Sequence, residues 1–153
     1  MTEHEWRMFV SHGTRTGKLA VTRASGEPHV TPIWFLLDDA PSPPEIVFTV
    51  WGDSLKARVL RRSPHFSLCV DDQAPPYSYV QLNGTARLDD NPAELLTWAT
   101  RLGNRYMGQE NAAAYGRRNA VPGEFLVRAR IDRIIARSGI ADQGASDGSA
   151  NGP

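Results

Sequence analysis

The segment from Thr49 to Lys56 (TVWGDSLK) has the composition of an anion-binding turn. It ends an apolar run, passes through a Gly/Ser break and opens a basic stretch. A strand that turns into the start of a helix leaves backbone N–H groups free, and the Ser54 hydroxyl and the Lys56 ammonium lie at the same junction. Arg61 adds positive charge one turn later. The pattern favours phosphate binding. The alternative is a capped surface helix whose basic residues are solvated.

A second candidate is Pro32-Ile33-Trp34, followed on the next strand by Thr49 and Trp51. Apolar side chains suit the faces of a planar heteroaromatic ligand. A proline interrupts the hydrogen-bond ladder of a strand and leaves backbone groups free to meet ring heteroatoms. Taken alone, these residues fit core packing with an irregularity in the sheet. Beside a phosphate-binding turn, they predict a site for a ligand with a ring and a phosphate.

Other chemistry finds little support in the sequence. The four histidines are scattered without the spacing of metal ligands, so we expect no metal site. The paired aspartates fall where turns are expected, and the serines lack the context of a nucleophile elbow. Nucleotide P-loop and dinucleotide Gly-rich motifs are absent. The single cysteine, Cys69, excludes an internal disulfide and a Cys-rich metal site.

Composition narrows the class of protein further. The chain has 153 residues, of which 41% are hydrophobic and 22% are charged, and its formal net charge is +0. These values fit one globular domain and argue against general binding to nucleic acid or to a membrane surface. The polar, acidic beginning does not resemble a signal peptide, and no apolar run reaches the length of a membrane span. We therefore expect a cytoplasmic protein.

The hydrophobic pattern predicts six strands and four helices. The strands run from Gly17 to Ala24, Pro28 to Leu37, Glu45 to Trp51, His65 to Val70, Tyr77 to Leu88 and Glu124 to Ala136. The helices run from Glu3 to His12, Leu55 to Arg62, Ala93 to Met107 and Gln109 to Arg118. Short turns join most strands, which predicts an antiparallel sheet, and six strands close most economically into a small barrel.

The pattern shows no internal repeat and no domain boundary. We interpret residues 1–140 as a single cofactor-binding domain. Residues 141–153 are rich in Gly, Ser, Ala and Asp and carry no large apolar residue, so we expect them to be disordered.

The order of these motifs resembles a known family. Four segments carry the resemblance, namely Gly17 to Phe35, Lys56 to Pro64, the loop at Pro75-Pro76-Tyr77 and the strand from Val80 to Ala86. Together they are similar to the flavin/deazaflavin oxidoreductases of the pyridoxamine-phosphate-oxidase-like superfamily. Within it they most resemble the group that uses the deazaflavin coenzyme F-420. One departure is Val59, at a position where asparagine is common in the family.

The resemblance implies a split β-barrel, that is, a six-stranded antiparallel Greek-key barrel with flanking helices. It also implies a homodimer with cofactor sites at the subunit interface. The expected cofactor-binding residues are Pro32, Ile33 and Trp34 for the ring, Thr49, Val50, Trp51, Ser54, Lys56 and Ala57 around the phosphate-bearing tail, and Arg61 for its acidic end. The implied activity is transfer of a hydride from the reduced coenzyme to an electron-poor organic acceptor. The cofactor carries that chemistry, so no catalytic residue is assigned.

Two alternatives stay open at this point. An FMN-binding oxidoreductase of the same fold would use the same ring and phosphate sites. A non-catalytic cofactor carrier would bind without turnover. A pyridoxamine-phosphate oxidase proper is less favoured, because Arg128 and Arg130 belong to an ordinary alternating strand rather than to an Arg-rich substrate motif.

Overall fold

The computed structural model describes residues 1–142 and shows one antiparallel sheet with flanking helices. The strands are β1 (Gly17–Thr22), β2 (Pro28–Ile33), β3 (Leu36–Asp38), β4 (Glu45–Trp51), β5 (His65–Asp71), β6 (Tyr79–Asp89) and β7 (Glu124–Arg137). The helices are α1 (Glu3–Ser11), α2 (Leu55–Arg62), α3 (Pro92–Met107) and α4 (Gln109–Asn119). Neighbouring strands follow the order β2-β1-β5-β6-β7-β4-β3. The expectation of a mainly antiparallel β fold with flanking helices is confirmed.

The strand count differs from the prediction, since the sheet formed by residues 1–142 has seven strands instead of six. The predicted second strand, Pro28 to Leu37, is divided into β2 and β3 by Trp34 and Phe35. Phe35 is fully buried, and its backbone N–H and C=O bond to side chains of α3 instead of a neighbouring strand. Because β2 and β3 are the two edges of the sheet, this short break is where the chain passes from one edge to the other.

The long strands β6 and β7 form the centre of the sheet. Their register shifts between Asn83 and Gly84, which marks an irregularity in the pairing. A side chain at Gly84 would come within 1.8 Å of the Arg130 carbonyl oxygen, and this close approach requires glycine. The main core lies inside the curved sheet and includes the fully buried Phe48 and Leu82.

A smaller apolar cluster joins α3 to the opposite face of β4 and β7. It consists of Val47, Leu95, Trp98 and Leu126. Beside it, Arg128 donates to the carboxylates of Asp38 at 3.1 Å, Glu45 at 3.3 Å and Glu94 at 2.7 Å. These ion pairs tie β3, β4 and α3 to β7, which gives Arg128 a structural role.

Helices α3 and α4 form a hairpin whose two axes approach closely. A Cβ at Gly116 would lie 2.1 Å from Thr100 Oγ1, and one at Gly103 would lie 2.8 Å from Tyr115 Cβ. Small residues at these two positions therefore let the helices pack together and fix the position of Tyr115.

Within residues 1–142, no helix is long and apolar enough to cross a membrane. The interpretation of residues 1–140 as one domain stays a prediction. Residues 143–153, which make up most of the predicted tail, lie outside the described residues.

Candidate functional site

A cavity of about 510 Å³ separates the sheet from the α3–α4 hairpin. We call its two sides the sheet wall and the helix wall. The sheet wall consists of Pro32, Ile33, Trp34, Thr49 and Lys56, and the helix wall consists of Ala99, Leu102, Met107, Tyr115, Arg118 and Asn119. The structure thus brings together five of the ten predicted cofactor-binding residues, although they come from β2, the β2–β3 break, β4 and α2. The cavity volume falls in the range usual for small-molecule sites.

Trp34 is the aromatic surface of the sheet wall. Its ring stacks on Tyr106, with centroids 4.9 Å apart and planes 3° from parallel, and it lies 5.9 Å from the tilted ring of Tyr115. Tyr106 does not line the cavity, so it supports the indole from behind. The Tyr106 hydroxyl donates to the Arg15 carbonyl at 2.9 Å and accepts from the Phe35 N–H at 3.2 Å. Burial raises the pKa of this phenol.

Arg105 precedes Tyr106 near the end of α3, and it also holds the break between β2 and β3. Its guanidinium donates to three backbone carbonyls, those of Gly13 at 3.0 Å, Phe35 at 2.8 Å and Val10 at 2.8 Å. Partial burial lowers its pKa, because desolvation penalises the cation. This contact joins α1, the break and α3, and therefore holds the segment that carries Trp34.

Lys56 is the cation of the sheet wall. Its Nζ donates to Thr31 Oγ1 at 3.2 Å, and the carboxylate of Glu124 lies close enough to favour the charged ammonium. Glu124 also accepts a hydrogen bond from the Thr49 side chain. Burial is the larger effect on both groups, so the pKa of Lys56 is lowered and the pKa of Glu124 is raised.

The turn before α2 has the geometry of a capped helix start. The Ser54 side chain accepts from the Ala57 N–H at 3.2 Å, which caps the helix and occupies that donor. The N–H groups of Leu55 and Lys56 have no acceptor within the helix. Arg61 donates from Nη1 to the Gly52 carbonyl at 2.7 Å and lies over the ring of Phe125, so it braces this turn.

The remaining predicted residues lie beside the cavity and do not line it. Val50 and Ala57 are buried, and their side chains pack in the main core. Trp51 is 49% exposed and lies over Gly123, where a Cβ would come within 2.6 Å of the indole. Gly123 also has a φ of +94°, a conformation that favours glycine. Val59, the departure from the family pattern, is buried and contributes packing.

Sequence reasoning missed Glu124 and the whole helix wall. The periodicity predicts both helices, but it does not show which of their side chains would meet a cavity formed with a distant strand. The small residues Gly103 and Gly116 were a usable signal of close helix packing. For metals, residues 1–142 contain no group of three or more His, Cys, Asp or Glu side chains placed to hold an ion.

The family model described as pyridoxamine 5'-phosphate oxidase matches residues 2–138. The chain belongs to the pyridoxamine 5'-phosphate oxidase family. The split-barrel expectation is thereby confirmed, and the antiparallel sheet with flanking helices is the fold of that family. A comparison with curated proteins gives no match.

Solved structures of this fold include proteins of different stated function. A conserved hypothetical protein from Mycobacterium tuberculosis is 27% identical, with a TM-score of 0.78, over 99% of this chain and 93% of that one. An F-420 reductase is 20% identical, with a TM-score of 0.64, over 84% and 94% of the two chains. A FAD-binding protein from Mesorhizobium loti is 16% identical, with a TM-score of 0.63, over 89% and 92%. At these identities, the last two show a shared fold.

Proposed function

We propose that this member of the pyridoxamine 5'-phosphate oxidase family is an oxidoreductase that uses coenzyme F-420 and reduces a small electron-poor organic acceptor. The observation that carries the proposal is the combination, in one cavity, of a supported aromatic surface at Trp34 and a cation at Lys56 beside the start of α2. A deazaflavin coenzyme has both matching parts, a planar ring and a phosphate-bearing tail.

The sheet wall fits the ring. Ile33 and Trp34 give an apolar surface, and β2 is an edge strand, so among residues 1–142 no strand pairs with its side away from β1. Pro32 lies on that edge strand, exposed and opposite Lys18 of β1. A ring bound here would meet side chains on one face and backbone groups at its margin.

The start of α2 fits the phosphate. Lys56 supplies a positive charge, and the first-turn N–H groups of Leu55 and Lys56 point out of the helix. Ser54 and Ala57 shape this turn through the cap, Arg61 braces it, and Thr49, Val50 and Trp51 form the strand that leads into it. We assign these six residues, together with Lys56, to the region that binds the phosphate-bearing tail of the coenzyme.

The sheet wall would hold the reduced coenzyme, which would supply a hydride to the acceptor, and water would exchange the accompanying proton. The protein's own residues bind and orient. Trp34 is held by Tyr106 and Arg105, so the surface against which a ring would lie is fixed before binding. Helix α4 contributes Tyr115, Arg118 and Asn119 to the wall opposite Trp34.

We further propose that the protein is a homodimer with its cofactor sites at the subunit interface. Trp51, at the end of β4, and Val121, two residues before the Gly123 that Trp51 covers, are 49% and 39% exposed. An apolar surface at this place supports a second chain that would complete the site.

A flavin is the second candidate cofactor, because one relative of the same fold is a FAD-binding protein. FMN shares the tricyclic ring and the phosphate, so the same two regions would hold it. The choice between the cofactors is therefore a matter for measurement of affinity.

The test is titration of ligand-free protein with oxidised F-420 and, separately, with FMN. We expect saturable F-420 binding that is tighter than FMN binding. Lys56→Glu should weaken it by about tenfold or more, because a charge-assisted contact becomes repulsive. Arg58→Glu, an exposed change on the same helix, should leave it nearly unchanged.

The possible results separate the hypotheses. Tighter FMN binding would move the protein to the flavin-using branch of the fold, and binding of neither cofactor would overturn the assigned site. Tight F-420 binding without reduction of any acceptor in a broad screen would favour a cofactor carrier.

A further inference from the structure

The helix wall has no role in the proposed cofactor site. Its residues come from α3 and α4, and they face the sheet wall across the same cavity. A hydride transfer needs two partners, and the reacting atoms must approach within about 3.5 Å. If the coenzyme ring lies on the sheet wall, the space left for the acceptor is against the helix wall.

The helix wall carries a positive charge, that of Arg118, and no carboxylate lines the cavity beside it within residues 1–142. Lys56 lines the same cavity from the sheet wall. Lys56 has Glu124 close by, whereas Arg118 forms no ion pair with a carboxylate of the described chain. The Arg118 guanidinium lies 5.7 Å from the Tyr115 ring centroid, and Asn119 follows it at the end of α4.

The surface next to that cation is aromatic. Tyr115 lines the cavity, its Cβ is held against the Gly103 position, and its ring lies 5.9 Å from Trp34. Met107 and Leu102 extend the apolar part of the wall. Because the Trp34 and Tyr115 rings are already in contact, a planar ring can pack only against the part of Tyr115 that Trp34 leaves open, while an anionic substituent reaches Arg118.

We propose that the helix wall is the acceptor site and that it selects a planar aromatic acceptor with an anionic group such as a carboxylate. This inference rests on the proposed function, since it takes the coenzyme ring to occupy the sheet wall. Arg118 is the specificity-determining residue. It is the cation of the helix wall, and no carboxylate of the described chain forms an ion pair with it.

The test uses two unreactive probes of the same shape, 2-naphthoate and its neutral analogue 2-naphthamide. Calorimetric titration of the F-420-loaded protein should give about tenfold tighter binding of the naphthoate, as expected for a charge-assisted hydrogen bond. Arg118→Ala should remove this preference. Arg117→Ala is the matched control, because Arg117 is an exposed neighbour on α4 that does not line the cavity. F-420 affinity, measured on all three proteins, should change by less than about twofold.

Three results would overturn the proposal. One is equal affinity of the two probes for the wild-type protein, and another is an unchanged preference in Arg118→Ala. The third is a loss of F-420 affinity in Arg118→Ala as large as the loss of naphthoate affinity, which would place Arg118 in the cofactor site. If the wild-type protein does not bind F-420, the proposed function fails separately. The probes titrated without coenzyme then show whether Arg118 selects the anion, and absence of that selection overturns the anionic site as well.

Discussion

Lys56 and Glu124 are neighbouring charged groups, and burial shifts the pKa of each towards its neutral form. The pKa of Lys56 falls because desolvation outweighs the attraction of Glu124, and the pKa of Glu124 rises because desolvation outweighs its hydrogen bond from Thr49 and its attraction to Lys56. Each group nevertheless favours the charged form of the other. Glu124 therefore controls how far up the pH scale Lys56 keeps its positive charge.

A pH titration of cofactor binding tests this coupling. Binding of the phosphate should weaken as pH rises through the lowered pKa of Lys56, hence below the ordinary lysine value of 10.5. Glu124→Gln removes the carboxylate that favours the cation, so the midpoint should move to still lower pH. The measurement is the F-420 dissociation constant from roughly pH 7 to pH 10. Glu27→Gln, at an exposed turn, is the control, and equal midpoints for both variants would contradict the coupling.

The candidate site was only partly predictable at this scale. Lys56 and Ser54 could be found because a Gly/Ser break before a basic helix is a local signal. Glu124 lies about 70 residues further along the chain, and it reaches Lys56 because Trp51 of β4 pairs with Glu124 of β7. Such a contact depends on strand register across the sheet, which a local pattern does not contain.

At the scale of elements, the break between β2 and β3 is held by the end of α3. Arg105 donates to three carbonyls, from α1, the following turn and the break. The Tyr106 hydroxyl accepts from the Phe35 N–H in the break and donates to the Arg15 carbonyl before β1. This explains why a short interruption of the sheet can be rigid. The position of Trp34 then depends on a helix about 70 residues away in the chain.

Arg105→Met tests this dependence. It removes the donors to three carbonyls, two of them in part-buried hydrogen bonds, so we expect the free energy of unfolding to fall by about 3 kcal/mol, with weaker F-420 binding because Trp34 is less well held. Arg101→Met, one turn earlier and exposed, loses a contact with the Trp98 ring and should cost about 1 kcal/mol or less. Urea unfolding measures both, and an Arg105→Met protein as stable as the Arg101→Met protein would refute the bracing role.

Most elements followed from the sequence because each has a local pattern. Helix α2 occupies Leu55–Arg62 as predicted, and the long alternating segments are the central strands. The division of the second strand was missed because the cause is not local. Phe35 has the residue type of a strand, but its backbone bonds to Tyr106 and Arg105, and this removes it from the sheet.

At the scale of the whole molecule, the sheet and the α3–α4 hairpin divide the proposed reaction between them. The sheet wall provides a fixed ring surface and a phosphate site, and the helix wall provides an aromatic and cationic surface opposite. The hairpin depends on close approach at Gly103 and Gly116, so the size of the cavity is set by helix packing. Variation at Tyr115 and Arg118 of this hairpin would change the acceptor, whereas variation at Arg105 or Tyr106 would also disturb Trp34 of the cofactor site.

The proposed dimer can be tested at the exposed apolar residues Trp51 and Val121. If a second chain covers this surface, Val121→Lys buries an unpaired charge and should convert the dimer to monomer. F-420 binding should weaken with it, because the interface would complete the turn before α2. Leu96→Lys is the matched control, since Leu96 is similarly exposed on α3 away from that turn. Sedimentation equilibrium should give twice the monomer mass for the wild-type and Leu96→Lys proteins. A monomeric wild type would refute the dimer, and a dimeric Val121→Lys protein with normal F-420 binding would place the interface on another surface.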